Sequence, residues 1–406
     1  MMVLLVATAL PAAVAADLAI IHARVLPVDA APIEDGTVLV TGGRIEAVGR
    51  ALPVPAGTPL VVDATGLWLT PGFIDVHSHM GVYPWPSADA HADGNEMTDP
   101  VTARVWAGDS VRVEDPAFAY ARAGGVTAVQ VLPGSANLVG GQSAVLKLRP
   151  SRTLDGMLFR EAPRGIKMAC GENPKRVYKG DTDGPSTRMG NVAGLREAFG
   201  EALDYRAARA RKDPPPRDPD LDVLLDVLDG KIRVHVHCYR HDDIEAIYRV
   251  MDDHRVQVAS FQHGLEAYKV RDIIAAHGTG VATWPDWWGF KMEALDGIPD
   301  NARLLKEAGV VVATHSDSPV TVQTLGVEAA KLVGTGLDPA RALETITLDP
   351  ARMLGVERWV GSITPGKHAD LVLHTGDPLD VTSVVQQVWI DGQSVYRRAS
   401  EVKDAR

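Results

Sequence analysis

The hydrophobic pattern changes character twice along the chain. Residues 17–68 carry short apolar runs separated by turn signals. Leu18-Ala19-Ile20-Ile21 is one run; Thr37-Val38-Leu39-Val40 is a second, followed by Gly42-Gly43 and Ile45-Glu46-Ala47-Val48-Gly49. A turn at Asp63-Ala64-Thr65-Gly66 precedes Leu67-Trp68-Leu69-Thr70. Runs of this length bounded by Gly and Asp read as strands, so the segment predicts a small all-β unit. From Pro71 the texture changes. Short apolar stretches at 126–132, 165–170, 232–237, 256–261, 280–283 and 310–314 alternate with helix-like runs at 192–211, 242–251 and 270–277. Such alternation over roughly 290 residues predicts an α/β fold, and at this size a TIM-like (β/α)8 barrel. After Ala351-Arg352-Met353-Leu354-Gly355 short strands return, at Ala369-Asp370-Leu371-Val372-Leu373 and Val388-Trp389-Ile390-Asp391-Gly392. The expected organisation is a barrel over 70–360 beside a small β-sandwich built jointly from 17–69 and 361–397.

Composition narrows this picture. Of the 406 residues 46% are hydrophobic and 23% charged, which excludes disorder or coiled coil as the main architecture. The net charge of −11 argues against nucleic acid as a partner, because an acidic surface repels phosphate. Cys170 and Cys238 are too few for a disulfide framework, and both are expected to be inert. Residues 1–16, MMVLLVATALPAAVAA, are apolar and end in small residues, as a secretory signal does, although no Lys or Arg precedes them. They are too short to span a bilayer, and no other stretch is long and apolar enough to do so. Export to the periplasm or the extracellular space is therefore expected; without a signal peptide the chain would stay in the cytoplasm. Homo-oligomerisation is left open.

The chemistry concentrates at the ends of the apolar runs. Pro71-Gly72-Phe73-Ile74-Asp75-Val76-His77-Ser78-His79 is an apolar strand ending in His-X-His. Residues i and i+2 of a strand face the same side, so both imidazoles can meet one cation. Val234-His235-Val236-His237, Phe261-Gln262-His263-Gly264 and Val312-Ala313-Thr314-His315-Ser316-Asp317 end three later strands. In a barrel, His77, His79, His237, His263 and Asp317 would converge at the C-terminal mouth, where active sites of this fold are built. His235 and His315 lie two residues before His237 and Asp317 and are expected to support the ligands rather than to bind metal. Asn137 and Gln142, in a Gly-rich stretch 133–142 read as a loop, together with Lys175 and Arg176, are candidate substrate contacts. Trp284-Pro285-Asp286-Trp287-Trp288 either lines the pocket or packs the barrel against a helix.

The chain resembles the amidohydrolase superfamily of metal-dependent hydrolases. The resemblance is carried by the 71–79 motif, His237, His263, Asp317 and the tail Gly361-Ser362-Ile363-Thr364-Pro365-Gly366-Lys367-His368-Ala369-Asp370-Leu371-Val372, and covers about 17–397. Within the superfamily it looks most like the imidazolonepropionase-like group, on Leu132-Pro133-Gly134-Ser135-Ala136-Asn137 and Gly171-Glu172-Asn173-Pro174-Lys175-Arg176. The resemblance implies one or two divalent metal ions, zinc by expectation. His77, His79 and Asp317 would hold one; His237 and His263 would hold a second or orient the substrate. Asp317 would also carry a proton from the attacking water to the leaving nitrogen. Two-metal members need a bridging anion, and Gly165-Ile166-Lys167-Met168-Ala169-Cys170-Gly171-Glu172 offers two: Glu172, or Lys167 once carboxylated. The choice stays open here. The implied activity is hydrolysis of an amide-type C–N bond in a small molecule or peptide. Deaminases on this scaffold place a glutamate three residues after the strand histidine, where this chain has Arg240. A non-catalytic binding relative is disfavoured by the complete ligand set.

Overall fold

The computed structural model describes residues 16–180, 184–287 and 289–399. The expected leader at 1–16 lies, apart from its last residue, outside them. The chain begins with β1 (Leu18–Val25), β2 (Ile33–Thr41), β3 (Arg44–Arg50), β4 (Leu60–Asp63) and β5 (Trp68–Pro71). β1, β2 and β3 pair antiparallel, while β4 and β5 pair parallel with β1. Gly42 and Gly43 both have positive φ (56° and 76°) and close the β2–β3 hairpin.

Gly72 leads from this sheet into the barrel. A Cβ there would fall 2.0 Å from Thr127 Oγ1, so only glycine lets the two units meet this closely. The barrel strands follow as β6 (Phe73–Ser78), β7 (Val126–Val131), β8 (Val139–Lys147), β9 (Gly165–Ala169), β10 (Arg233–Cys238), β11 (Val258–His263), β12 (Gly280–Thr283) and β13 (Val312–Thr314). They lie side by side in chain order. β6–β7 and β9 through β13 pair parallel, but β8 runs antiparallel to both its neighbours. The sheet nearly closes. Thr314 N–H donates to Thr345 O (2.9 Å), Ile74 N–H to Ile346 O (2.8 Å), and Asp317 N–H to His77 O (3.1 Å). Asp75 accepts from the Ser316 hydroxyl across the same seam.

Helices coat the barrel because they carry one apolar face. In the helix His241–Asp253, Ile244, Ile247, Tyr248 and Met251 follow the i, i+3, i+4, i+7 spacing and are buried against the sheet. The last strands, β14 (Leu371–His374), β15 (Val385–Ile390) and β16 (Gln393–Arg397), return to the first sheet, where β14 pairs antiparallel with β5. Residues from both ends of the chain thus share one sheet, in the order β16-β15-β14-β5-β1-β2-β3 with β4 beside β1. Lys147, wholly buried at the end of β8, fastens this sheet to the barrel. Its ammonium donates to Asp370 (2.8 Å), pairs with Asp391, and lies 2.9 Å from His368 Nδ1.

Two expectations are corrected. The stretch 133–142 is not wholly a loop, since its last four residues open β8. Cys170 and Cys238 are joined in a disulfide, with Cα atoms 5.4 Å apart. Parallel β9 and β10 pair Ala169 with His237, so the next residues of each strand, the two cysteines, stand side by side.

Candidate metal centre

β6 brings His77 and His79 to the barrel mouth on one face, and β13 delivers Asp317 beside them. His77 Nε2 and His79 Nε2 are 3.3 Å apart, and Asp317 Oδ1 lies 3.6 and 3.4 Å from them. Two ligands of a tetrahedral zinc with bonds near 2.05 Å are separated by about 3.3 Å, so the three atoms have the spacing of one metal's ligand set. Each imidazole has its other nitrogen occupied. His77 Nδ1 is 2.9 Å from Gln262 Oε1, and His79 Nδ1 is 2.8 Å from Leu132 O. An acceptor at Nδ1 keeps the proton there and leaves the Nε2 lone pair for a cation.

His263 and His237 complete the cluster. The His263 ring centroid is 4.5 Å from that of His77 and 4.6 Å from that of His237. His315 lies among them, wholly buried, 5.0 Å from His77 and 5.1 Å from His263. A nitrogen of each of His77, His263 and His315 falls within 4.8 Å of the others, so this buried triad is suited to a metal as well. Nδ1 of His237, Nδ1 of His263 and both nitrogens of His315 are buried and lack a hydrogen-bond partner among the described residues. Buried polar atoms are normally paired, so a cluster of orphans points to a bound ion or water.

Burial sets the charge state. Desolvation depresses the pKa of His77, His237 and His263 well below the usual imidazole value and brings His79, His235 and His315 down to about 3; the Lys167 ammonium pushes all of them the same way. The imidazoles are therefore neutral, as metal ligation requires. Asp317 is pushed up by burial, against the pull of Lys167, and Lys167 is pushed down by burial, against the pull of Asp317. His263 and Asp317 both sit at positive φ (75° and 49°). Non-glycine residues in this region carry strain, which gathers at functional positions.

The remaining candidates divide. Lys167 is buried in β9, its ammonium donating to Pro133 O at 3.2 Å, and it faces the histidines. Glu172 starts the helix Glu172–Val177, with its carboxylate 3.3 Å from the Lys291 ammonium. Asn137 is buried and pins the 96–102 segment, donating to Glu96 O, Asp99 O and Thr102 Oγ1. Gln142 pairs opposite Ile166 and accepts from Arg164, toward the end of β9 away from the cluster. Lys175 and Arg176 lie in the last turn of the helix Glu172–Val177, Arg176 exposed. Asn137 and Gln142 thus have hydrogen-bond partners within the fold. His235 supports from below. Its Nδ1 meets Ser260 Oγ (2.8 Å), which accepts from Gln262, the residue holding His77.

Several site residues escape the sequence reading. Alternation would turn Gln262 away from the axis if His263 points inward, but the left-handed bend at His263 breaks the alternation and brings both side chains in. Tyr239 stacks on His263 at 5.0 Å, and Trp284 stacks on it at 4.5 Å and lies 4.6 Å from His315. Trp284 belongs to the aromatic run and lines the cluster; Tyr239 carried no signal. Asn173 Nδ2 reaches Ser135 Oγ (2.8 Å) and lies 3.4 Å from His237 Nε2.

Known proteins resemble this chain over most of its length. A crystal structure of an amidohydrolase from Thermotoga maritima MSB8 superposes with a TM-score of 0.88 at 38% identity, over 94% of this chain and 100% of that one. The chain belongs to the amidohydrolase family. The model of that family matches residues 221–395. Amidohydrolase tasK of Hapsidospora irregularis is 34% identical over 391 residues, covering 89% of this chain, which spans only 40% of that longer protein. A more distant relative is the imidazolonepropionase of Pseudomonas fluorescens, 25% identical over 407 residues, 91% of this chain and 94% of that one. The chain is thus an amidohydrolase-family hydrolase with a buried histidine cluster suited to metal.

Proposed function

We propose that the protein hydrolyses an amide-type C–N bond in a small molecule or peptide, using one or two divalent ions, zinc above others, held at the barrel mouth. The observation carrying this reading is the 3.3–3.6 Å spacing of His77 Nε2, His79 Nε2 and Asp317 Oδ1. When bound, such an ion polarises the scissile carbonyl and lowers the pKa of water toward ~7. The residues of the chain do the rest. Gln262 and the Leu132 carbonyl hold the two imidazoles in the ligating tautomer. Asp317, about a quarter exposed, reaches the opening; it takes the proton of the attacking water and passes it to the leaving nitrogen. His237 and His263 would hold a second ion, or orient the substrate where only one binds. Were two ions bound, Lys167, once carboxylated, would supply the shared anionic ligand in preference to Glu172. Lys167 is buried within β9 beside the histidines, and its depressed pKa makes the neutral amine that reacts with carbon dioxide more available, whereas Glu172 lies past the strand end at the start of a helix. Tyr239, Trp284 and Trp287 form an apolar wall for the substrate.

The deaminase alternative has no support at its diagnostic position, since Arg240 is turned to Asp242 (2.6 Å). Export is proposed on the apolar N-terminus, and the disulfide supports it, because such bonds persist in oxidising compartments. The test is turnover on a panel of small peptides, cyclic amides and N-acyl compounds, before and after chelation and zinc restoration. Chelator-sensitive, zinc-restored hydrolysis is expected. Release of ammonia from aminated rings with no amide cleavage would overturn the reading.

A further inference from the structure

One cation beside the histidine cluster has no place in the scheme above. Lys291 lies on the segment after β12 and is 19% exposed. Its ammonium stands 4.0 Å from the centre of the Tyr239 ring, and that ring stacks on His263 and meets His237 edge-on at 4.9 Å. Lys291 is thus one aromatic ring away from the imidazoles.

Its counter-ions hold it loosely. The two buried lysines that serve the fold are gripped tightly: Lys147 by Asp370 at 2.8 Å, Lys306 by Glu344 and Asp349 at 2.6 and 2.5 Å. Charge-assisted hydrogen bonds have this length, about 2.7–2.9 Å or less. Lys291 instead lies 3.3 Å from Glu172 and 3.5 Å from Glu293. Glu293 accepts through Oε1 from the Glu172 N–H (2.5 Å) and pairs there with Arg188, while its Oε2, 3.5 Å from Lys291, makes no hydrogen bond among the described residues. Glu172 is 28% exposed, and Lys291 is its one ion-pair partner among the described residues. A half-buried ammonium without a short hydrogen bond, beside Tyr239 and Phe290, suits an incoming carboxylate.

We propose that Lys291 binds a carboxylate of the substrate, so that the preferred substrates are amides bearing a carboxylate near the scissile bond and an apolar or aromatic group. Glu172 is the resting counter-ion that such a substrate replaces. This inference rests on the hydrolase reading.

The test uses matched pairs, each an N-acyl amino acid with an apolar side chain and its C-terminal amide, with release of the acyl acid measured on zinc-loaded protein. A charge-assisted contact of this kind is worth about 10- to 100-fold. The wild-type protein is expected to favour the acids by that factor in kcat/KM. Lys291→Met should reduce the preference to about threefold or less, acting through KM, and Lys291→Arg should restore part of it. Glu172→Gln should keep the metal and lower KM for the acids. Turnover with no preference for the acids, or a preference that survives Lys291→Met, overturns the inference and leaves the hydrolase reading standing. Loss of metal in Glu172→Gln also overturns it, because Glu172 would then be a ligand. Failure of the wild-type protein to cleave any pair or any amide of the wider panel rejects both.

Discussion

At the scale of single residues the site is set by who holds whom. Asp317 faces two imidazoles at ligand distance and also reaches the opening, so binding and proton transfer meet in one carboxylate. Asp317→Asn should keep the fold and much of the metal, since the histidines remain and the amide is nearly isosteric. Turnover should fall by about 10²-fold or more, the usual worth of positioned acid–base help. Near-wild-type turnover in that variant would remove Asp317 from the mechanism. Gln262 makes a different prediction. It touches His77 and Ser260 but belongs to no ligand triad. Gln262→Leu should weaken zinc binding by roughly 10–100-fold, as loss of a hydrogen bond behind a ligand does. Zinc titration of the apo-protein reads this directly, and unchanged affinity would show that His77 needs no orienting group. His77 and His79 were legible because His-X-His puts both imidazoles on one side, and Asp317 because it follows the end of an apolar run. Gln262 was not, because its orientation depends on one left-handed residue that no pattern announces.

Among secondary-structure elements, β8 and the β9–β10 pair show where pattern reading ends. The parallel strands were legible as apolar runs of four to seven residues. β8 was not, because Gly140 and Gly141 at its start read as a loop. Its antiparallel direction further carries Gln142 away from the mouth. The disulfide was illegible for another reason. Cys170 and Cys238 are 68 residues apart, and only the register of β9 against β10 makes them neighbours. Replacing both by alanine should lower stability by about 2–4 kcal/mol through freer unfolded chains, read as a lower urea midpoint. An unchanged midpoint, equal to that of the oxidised wild-type protein, would mean that the bond is not formed in solution. In the composite sheet, His374 of β14 is buried, 3.1 Å from the Thr70 hydroxyl, and burial brings its pKa down to about 3. Because the folded pKa lies below the unfolded value of about 6.5, its contribution is complete above pH 6.5. It is lost as pH falls toward 3, where the unfolded chain binds a proton that the folded one refuses. His374→Gln should therefore flatten the decline of stability between those values. Equal slopes in both proteins would contradict the assignment.

For the whole molecule, the sequence texture already separated a barrel from flanking strands. It left unstated how they are joined. The joint is Lys147, buried with Asp370, Asp391 and His368, and a lysine inside an apolar run gave no hint of contact with three residues 221 to 244 positions away. The same architecture concentrates the chemistry. Strands far apart in the chain end at one mouth, so neutral imidazoles, a buried lysine and a carboxylate share one small volume. The central claim is that this volume is a metal centre, and metal analysis after dialysis against zinc tests it most directly. The account predicts one to two zinc ions per chain in the wild-type protein and a loss of at least one in His77→Ala, whose imidazole belongs to both ligand triads. A wild-type protein that retains no zinc, or a His77→Ala variant that retains the full amount, would contradict it.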